Sequence, residues 1–218
     1  MPFRNRNDAG RQLALRLLKF KGAKAVVFAL PRGGAPVAAP IAEALEAALD
    51  LVLVRKIGVP FQPEIAMGAV ADGGTPITVR NEDVIAMARV SEEAFEAVRE
   101  HELEEIERRR RVYVRSRPRP EAQGCIAIVV DDGVATGATT RAALRAVRAR
   151  GPSKLVLATP VAPPETLAAL EPEADETICL ETHADFGAIG RFYADFRQTS
   201  DAEVIAILDR LGASEPGA

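Results

Sequence analysis

Ile126-Ala-Ile-Val-Val-Asp-Asp-Gly-Val-Ala-Thr-Gly-Ala-Thr-Thr140 passes from an apolar run to two carboxylates and then to small, hydroxyl-rich residues. The run Ile126 to Val130, rich in β-branched side chains, reads as a strand buried on both faces. Charge begins at Asp131 and Asp132, where the strand leaves the sheet. Beyond Gly133 to Thr140 the segment Arg141 to Arg150 carries Leu144 and Val147 at helical spacing, so the order is strand, acidic pair, small loop, helix. Gly133 and Gly137 let the backbone turn sharply beside a ligand, and a helix start offers unpaired N–H groups and the positive end of its dipole to a phosphate. Thr136, Thr139 and Thr140 add hydroxyl donors. The carboxylates can accept hydrogen bonds from two neighbouring hydroxyls or hold the hydration shell of a magnesium ion.

A second unit repeats the design. Ala25 to Leu30 reads as a buried strand that ends in Pro31-Arg32-Gly33-Gly34 and is followed by a helix from Ala35 to Ala48. One arginine and two glycines at a strand end can wrap a guanidinium and backbone amides around an anion. Further strands are predicted at Asp50–Val54, Lys154–Thr159 and Glu176–Leu180, with a short helix from Pro164 to Leu170. Strands alternating with helices make parallel βαβ units, so the fold class is α/β, a doubly wound parallel sheet whose ligands bind at the carboxyl ends of the strands. Arg55 and Lys56 follow the third strand, either as a solvated end or as extra positive charge for the anion site. Two runs, Glu64–Val70 and Thr75–Val79, flank Ala71-Asp72-Gly73-Gly74 and read as a hairpin with a glycine turn.

The flanking segments carry less chemistry. A first helix bears Leu13, Leu17 and Leu18; a long one from Ser91 is acidic early and basic at Arg108 to Arg111, which suits its own dipole. The tail from His183 to Phe196 holds Phe186, Phe192 and Tyr193, either as core filler or as part of a ligand pocket, ahead of a closing helix from Ser200 to Leu211.

Composition narrows the classes. With 218 residues, of which 48% are hydrophobic, the chain can bury a full core as a single domain. Its net charge of −3 argues against nucleic acid or anionic membrane as a partner, and Cys125 and Cys179 form neither a zinc ribbon nor a disulfide framework. No apolar run approaches membrane-spanning length and the first residues lack a signal-peptide core, so a cytoplasmic location is expected.

Val129 to Thr139 resembles the phosphoribosyl pyrophosphate (PRPP) motif of the type I phosphoribosyltransferases. The resemblance extends from about Val26 to Leu180, implying a core over about 25–180 and a hood at 181–198 together with the N-terminal segment. It places the ribose 2′- and 3′-hydroxyls on Asp131 and Asp132, with Mg2+ held there through those hydroxyls or water. It also places the 5′-phosphate on Ala135, Thr136, Gly137, Ala138 and Thr139, with Gly133 among the substrate-binding residues. Pyrophosphate falls to Arg32, Gly33 and Gly34, in a loop that often contains a cis peptide bond, with Arg55 and Lys56 nearby. Asp131, Asp132 and Arg32 are thus the implied catalytic residues, and Phe186, Phe192 and Tyr193 the candidate acceptor pocket. The implied activity, in nucleotide metabolism, moves the phosphoribosyl group from PRPP to a nitrogenous small-molecule acceptor. Enzymes for 6-oxopurines carry an acidic residue where this chain has Ala135, which weakens a hypoxanthine or guanine assignment. A PRPP- or nucleotide-sensing protein without turnover, and a hydrolase or phosphorylase of a phosphoribosyl compound, stay open as alternatives, as does homodimerisation.

Overall fold

The structure is a computed structural model that describes residues 2–72, 75–115 and 117–211. Its centre is a five-stranded parallel sheet built from β1 (Ala25–Ala29), β2 (Ala48–Leu51), β6 (Ile126–Val130), β7 (Lys154–Ala162) and β8 (Glu176–Thr182), in the order β2-β1-β6-β7-β8. Between β2 and β6 the chain makes a second, antiparallel sheet of β3 (Val54–Val59), β4 (Gln62–Ala71) and β5 (Ile77–Arg80). The helices are α1 (Arg6–Leu17), α2 (Gly34–Leu45), α3 (Glu82–Ala88), α4 (Glu92–Tyr113), α5 (Ala138–Arg148), α6 (Pro164–Leu170) and α7 (Asp201–Leu211).

Strand alternation divides the core in two. Val27, Ala29, Ile128, Val130, Val156 and Ala158 face one side, packed with Leu13 and Leu17 of α1 and Val37 and Ile41 of α2. Val26, Phe28, Ala127, Val129, Leu155 and Leu157 face the other, against Leu144 and Val147 of α5 and Ala69 and Ala71 of β4. Each of the larger side chains, fully buried, contributes on the order of 1.5–3 kcal/mol. The predicted α/β doubly wound architecture is therefore present. No helix among the described residues is long and apolar enough to cross a membrane.

Several boundaries differ from expectation: the helix predicted to run to Ala48 ends at Leu45, with Ala48 opening β2, and β7 runs past Thr159 to Ala162. The predicted strand Asp50–Val54 is split: β2 ends at Leu51 and β3 begins at Val54. Asp72 is the cause, since its Oδ1 accepts the Leu53 N–H at 2.9 Å and takes that amide away from any sheet partner. Arg55 and Lys56 consequently lie inside β3 rather than beyond a strand end. The predicted hairpin is present as β4 and β5, while Gly73 and Gly74 of its glycine turn lie outside the described residues. Buried Asp72 also pairs through Oδ2 with Arg110 and Arg119. Asp50 sits beside this group, 4.0 Å from Arg110 and 3.7 Å from Arg150, and burial pushes its carboxyl up.

Helix α1 approaches α2 at Gly10, where a Cβ would lie 2.2 Å from the Val37 carbonyl oxygen and 2.6 Å from Pro40 Cγ. Because the first of these is backbone, the neighbour cannot rotate away. We expect Gly10→Ala to cost about 1–3 kcal/mol by forced separation of the two helices. Chemical denaturation of parent and variant measures it, and a variant as stable as the parent would show that the helix pair accommodates a methyl group.

Candidate active site

Parallel pairing sets Ala29 of β1 beside Val130 of β6, so the loops Pro31–Gly34 and Asp131–Gly137 leave neighbouring strands together. The chain continues from the first loop into α2 on one face and from the second into α5 on the other. Such a switch point leaves a crevice at the carboxyl edge. The two loops touch. Leu30 N–H donates to the Val130 carbonyl at 2.9 Å. A Cβ on Gly33 would sit 2.0 Å from Asp132 Oδ2, and one on Gly34 would sit 2.7 Å from the Val130 carbonyl oxygen. Only glycine fits either place. The Pro31–Arg32 peptide bond is cis, within the loop where the resemblance anticipates one.

The second loop is braced from beneath. Val134 N–H donates to the Val161 carbonyl at 2.9 Å, the Thr166 hydroxyl donates to the Ala135 carbonyl at 2.8 Å, and Ile189 packs under Gly133. Gly137 adopts φ 77°, a left-handed conformation that suits glycine, and caps α5. Ala135, Thr136, Ala138 and Thr139 are exposed around the start of that helix, whose first-turn amides lack helical partners. This is the geometry of an anion site.

Between the loops stand the carboxylates. Asp131 Oδ1 accepts the Asp132 N–H at 2.9 Å, and the Thr140 hydroxyl lies 3.5 Å from Asp131 Oδ2. Burial, reinforced by the adjacent Asp132 charge, holds the Asp131 carboxyl well above the usual carboxylate range. Asp132 Oδ2 accepts from Arg6 Nε at 2.7 Å, while the Asp132 carbonyl accepts the Tyr193 hydroxyl at 2.6 Å. Among the described residues no group of three or more His, Cys, Asp and Glu is arranged to hold a metal ion. Two adjacent carboxylates fit magnesium nonetheless, because that ion keeps several waters and binds through one or two carboxylates plus ligand oxygens.

Other predicted residues are placed unevenly. Arg32 stays at the loop with its NH1 3.5 Å from Asp201 Oδ1, and that carboxylate also accepts the Tyr113 hydroxyl at 2.7 Å. Burial and this hydrogen bond push the Tyr113 phenol up to about 12. Arg55 and Lys56 do not join the loops: Arg55 Nε pairs with Glu102 Oε2 at 2.6 Å, and Lys56 Nζ lies 3.1 Å from the Glu64 carbonyl and 3.4 Å from its carboxylate. Phe186 and Phe192 pack on one another at 5.0 Å, and Tyr193 lies between Phe3 at 5.5 Å and Phe196 at 5.0 Å. Sequence reasoning missed Arg6 entirely; nothing sets it apart locally from Arg4 and Arg11, its neighbours in a polar N-terminal run.

The Asp131 environment has a cost for stability. A carboxyl whose folded-state pKa is raised contributes stability that is present below its unfolded pKa and is lost as pH rises through the folded value. Asn at this position keeps the Oδ1 acceptor without the charge. Asp131→Asn should therefore match the parent near pH 4 and exceed it in unfolding free energy at pH 7 and above, without added metal. Denaturant melts across that range check this, and equal stability at every pH would remove the proposed electrostatic penalty.

The family model of the phosphoribosyl transferase domain matches residues 4–197. Two curated Mycobacterium tuberculosis proteins, from strains CDC 1551 / Oshkosh and ATCC 25618 / H37Rv, both provisionally named phosphoribosyl transferases, are 49% identical over 208 residues. The alignment covers 95% of this chain and 46% of each relative, so the chain spans about half the length of the curated relatives it matches. Among solved structures, TT1426 from Thermus thermophilus superimposes with a TM-score of 0.82 at 39% identity, covering 98% of this chain and 100% of that one. An acidic pair between two glycine loops at a parallel-sheet switch point accords with these similarities, and the chain belongs to the phosphoribosyl transferase domain family.

Proposed function

We propose that this chain is a cytoplasmic, magnesium-dependent phosphoribosyltransferase that moves the 5-phosphoribosyl group from PRPP to a nitrogenous acceptor and releases pyrophosphate. The observation that carries the reading is the contact between Gly33 and Asp132, which brings an arginine-glycine loop and an acidic pair with its helix N-terminus to one edge. A ligand with a phosphate at one end, a pyrophosphate at the other and a diol between them suits that order of groups. In this reading the amides from Gly133 to Thr139 bind the 5′-phosphate and the carboxylates accept the ribose hydroxyls. Arg32 and the amides of Gly33 and Gly34 take the pyrophosphate. Bound magnesium, held by Asp131 and Asp132 through ribose hydroxyls or water, would neutralise charge on the departing group.

The protein's share of the chemistry is orientation and charge. Holding the ribose at three places converts much of the entropic barrier into binding, and preorganised donors aimed at the leaving pyrophosphate stabilise the charge that grows there. No side chain need form a bond to C1. Ala135 favours an acceptor other than a 6-oxopurine, and the tail segment that carries Phe186, Phe192 and Tyr193 is tied to the acidic pair through the Tyr193 hydroxyl on the Asp132 carbonyl.

Pyrophosphate release from PRPP and magnesium, followed with single nitrogenous acceptors, tests the activity. Release with at least one acceptor is expected, and it should vanish in Asp131→Asn/Asp132→Asn along with magnesium-dependent PRPP binding. PRPP binding with no release for any acceptor would point instead to a sensor. Arg32→Ala separates the two ends of the ligand. It should weaken PRPP by about tenfold to a hundredfold, the equivalent of about 1.5–3 kcal/mol for a charge-assisted contact, and leave ribose 5-phosphate nearly unchanged. Equal losses for both ligands would place Arg32 on the shared phosphate and overturn the division of the site.

A further inference from the structure

Arg6 is the side chain at this edge that no motif accounts for. Its guanidinium is largely buried and engaged three ways: Nε on Asp132 Oδ2 at 2.7 Å, NH1 on the Arg197 carbonyl at 2.8 Å, and one face over the Phe196 ring at 3.8 Å. The backbone around it is fixed as well. Phe3 N–H donates to the Phe192 carbonyl and Ala194 N–H to the Phe3 carbonyl, each at 2.8 Å, and Asp195 N–H donates to the Arg4 carbonyl at 3.0 Å. Asn5 then caps α1 by accepting the Asp8 N–H at 2.9 Å. The first residues and the tail thus hold one guanidinium against one carboxylate.

We propose that Arg6 is a positioning residue for the ribose site, acting through Asp132; the inference rests on the phosphoribosyl reading above. Arg6 occupies Oδ2 alone, and among the described residues Oδ1 has no hydrogen-bond donor, so one oxygen is clamped while the other is left to accept a sugar hydroxyl. The clamp also sets direction, since the oxygen that Arg6 holds is the one that lies against Gly33, so a turn of the carboxylate would break both placements. Its charge matters equally. Two adjacent carboxylates repel a ligand that carries phosphates at both ends, and a fixed cation behind one of them offsets that repulsion without touching the ligand. Removing Arg6 leaves a buried carboxylate unpaired and free to turn.

Calorimetric titration of the full chain with ribose 5-phosphate and with inorganic phosphate separates positioning from mere support of the fold. Partners standing behind a ligand-holding side chain typically account for about 10–100-fold in affinity. Arg6→Gln should weaken ribose 5-phosphate by about tenfold, at the low end of that range, and leave inorganic phosphate, which has no diol, nearly unchanged. In an Asp132→Asn background the same substitution should have little further effect. Arg6→Lys keeps the charge but cannot reach Asp132 and Arg197 together, so an intermediate loss is expected, and it carries the comparison should the Gln variant lose its fold. Unchanged or tighter ribose 5-phosphate binding, equal losses for both ligands, or additive losses with Asp132→Asn would overturn the role. A parent protein that binds no ribose 5-phosphate would overturn the phosphoribosyl reading itself, a result visible before any substitution is made.

Discussion

The contact between Gly33 and Asp132 constrains everything around it. Two strands in parallel register must end level, two loops must cross within van der Waals distance, and the residue at position 33 cannot have a side chain. A methyl group there would meet a carboxylate oxygen and push apart the halves of the crevice. The hydrogen bond from Leu30 to the Val130 carbonyl and the bracing of the second loop by Val161, Thr166 and Ile189 keep that spacing from being lost. The rest of the sheet serves as a frame for one short distance.

That distance has an electrostatic counterpart. Two carboxylates side by side in a partly buried position are an unfavourable arrangement, and the fold keeps them by giving each a different relief. Asp131 takes a backbone N–H and a nearby hydroxyl, and Asp132 takes a guanidinium brought from the far end of the sequence. Sites that break the general rule against clustered like charges are where function is concentrated.

Much of this was legible in the residues themselves. The apolar runs at 25–30 and 126–130, each followed by glycines, announced parallel strands with ligand loops, because a strand buried on both faces leaves no room for charge until it exits the sheet. What was not legible had long-range causes. The break between β2 and β3 depends on a carboxylate at Asp72 that reaches back to Leu53, and periodicity carries no record of such a bond. Arg55 and Lys56 looked like a strand terminus because their neighbours Val54 and Ile57 fit either a parallel or an antiparallel partner. Arg6 sits 126 positions from Asp132, in a run of polar residues that resemble it. Only the pairing of the first residues with the tail brings it to the site.

The group around Asp72 also governs how the small sheet can move. Its carboxylate joins the start of β3 and the end of β4 to Arg110 and Arg119, so freeing that end would break both ion pairs at once and leave Arg110 with Asp50 alone, 4.0 Å away. Breaking a buried pair of this kind costs about 3–5 kcal/mol. The opposite end, where Phe61 stands exposed between β3 and β4 and Ile65 stands exposed within β4, has no such anchor among the described residues. Small fluctuations are thus confined to the tip, and amide hydrogen exchange would run in a gradient along the hairpin: fast near Phe61, and slow at Leu53, whose proton leaves only when the anchored end opens. The small sheet works as a lever with its fulcrum at a single aspartate.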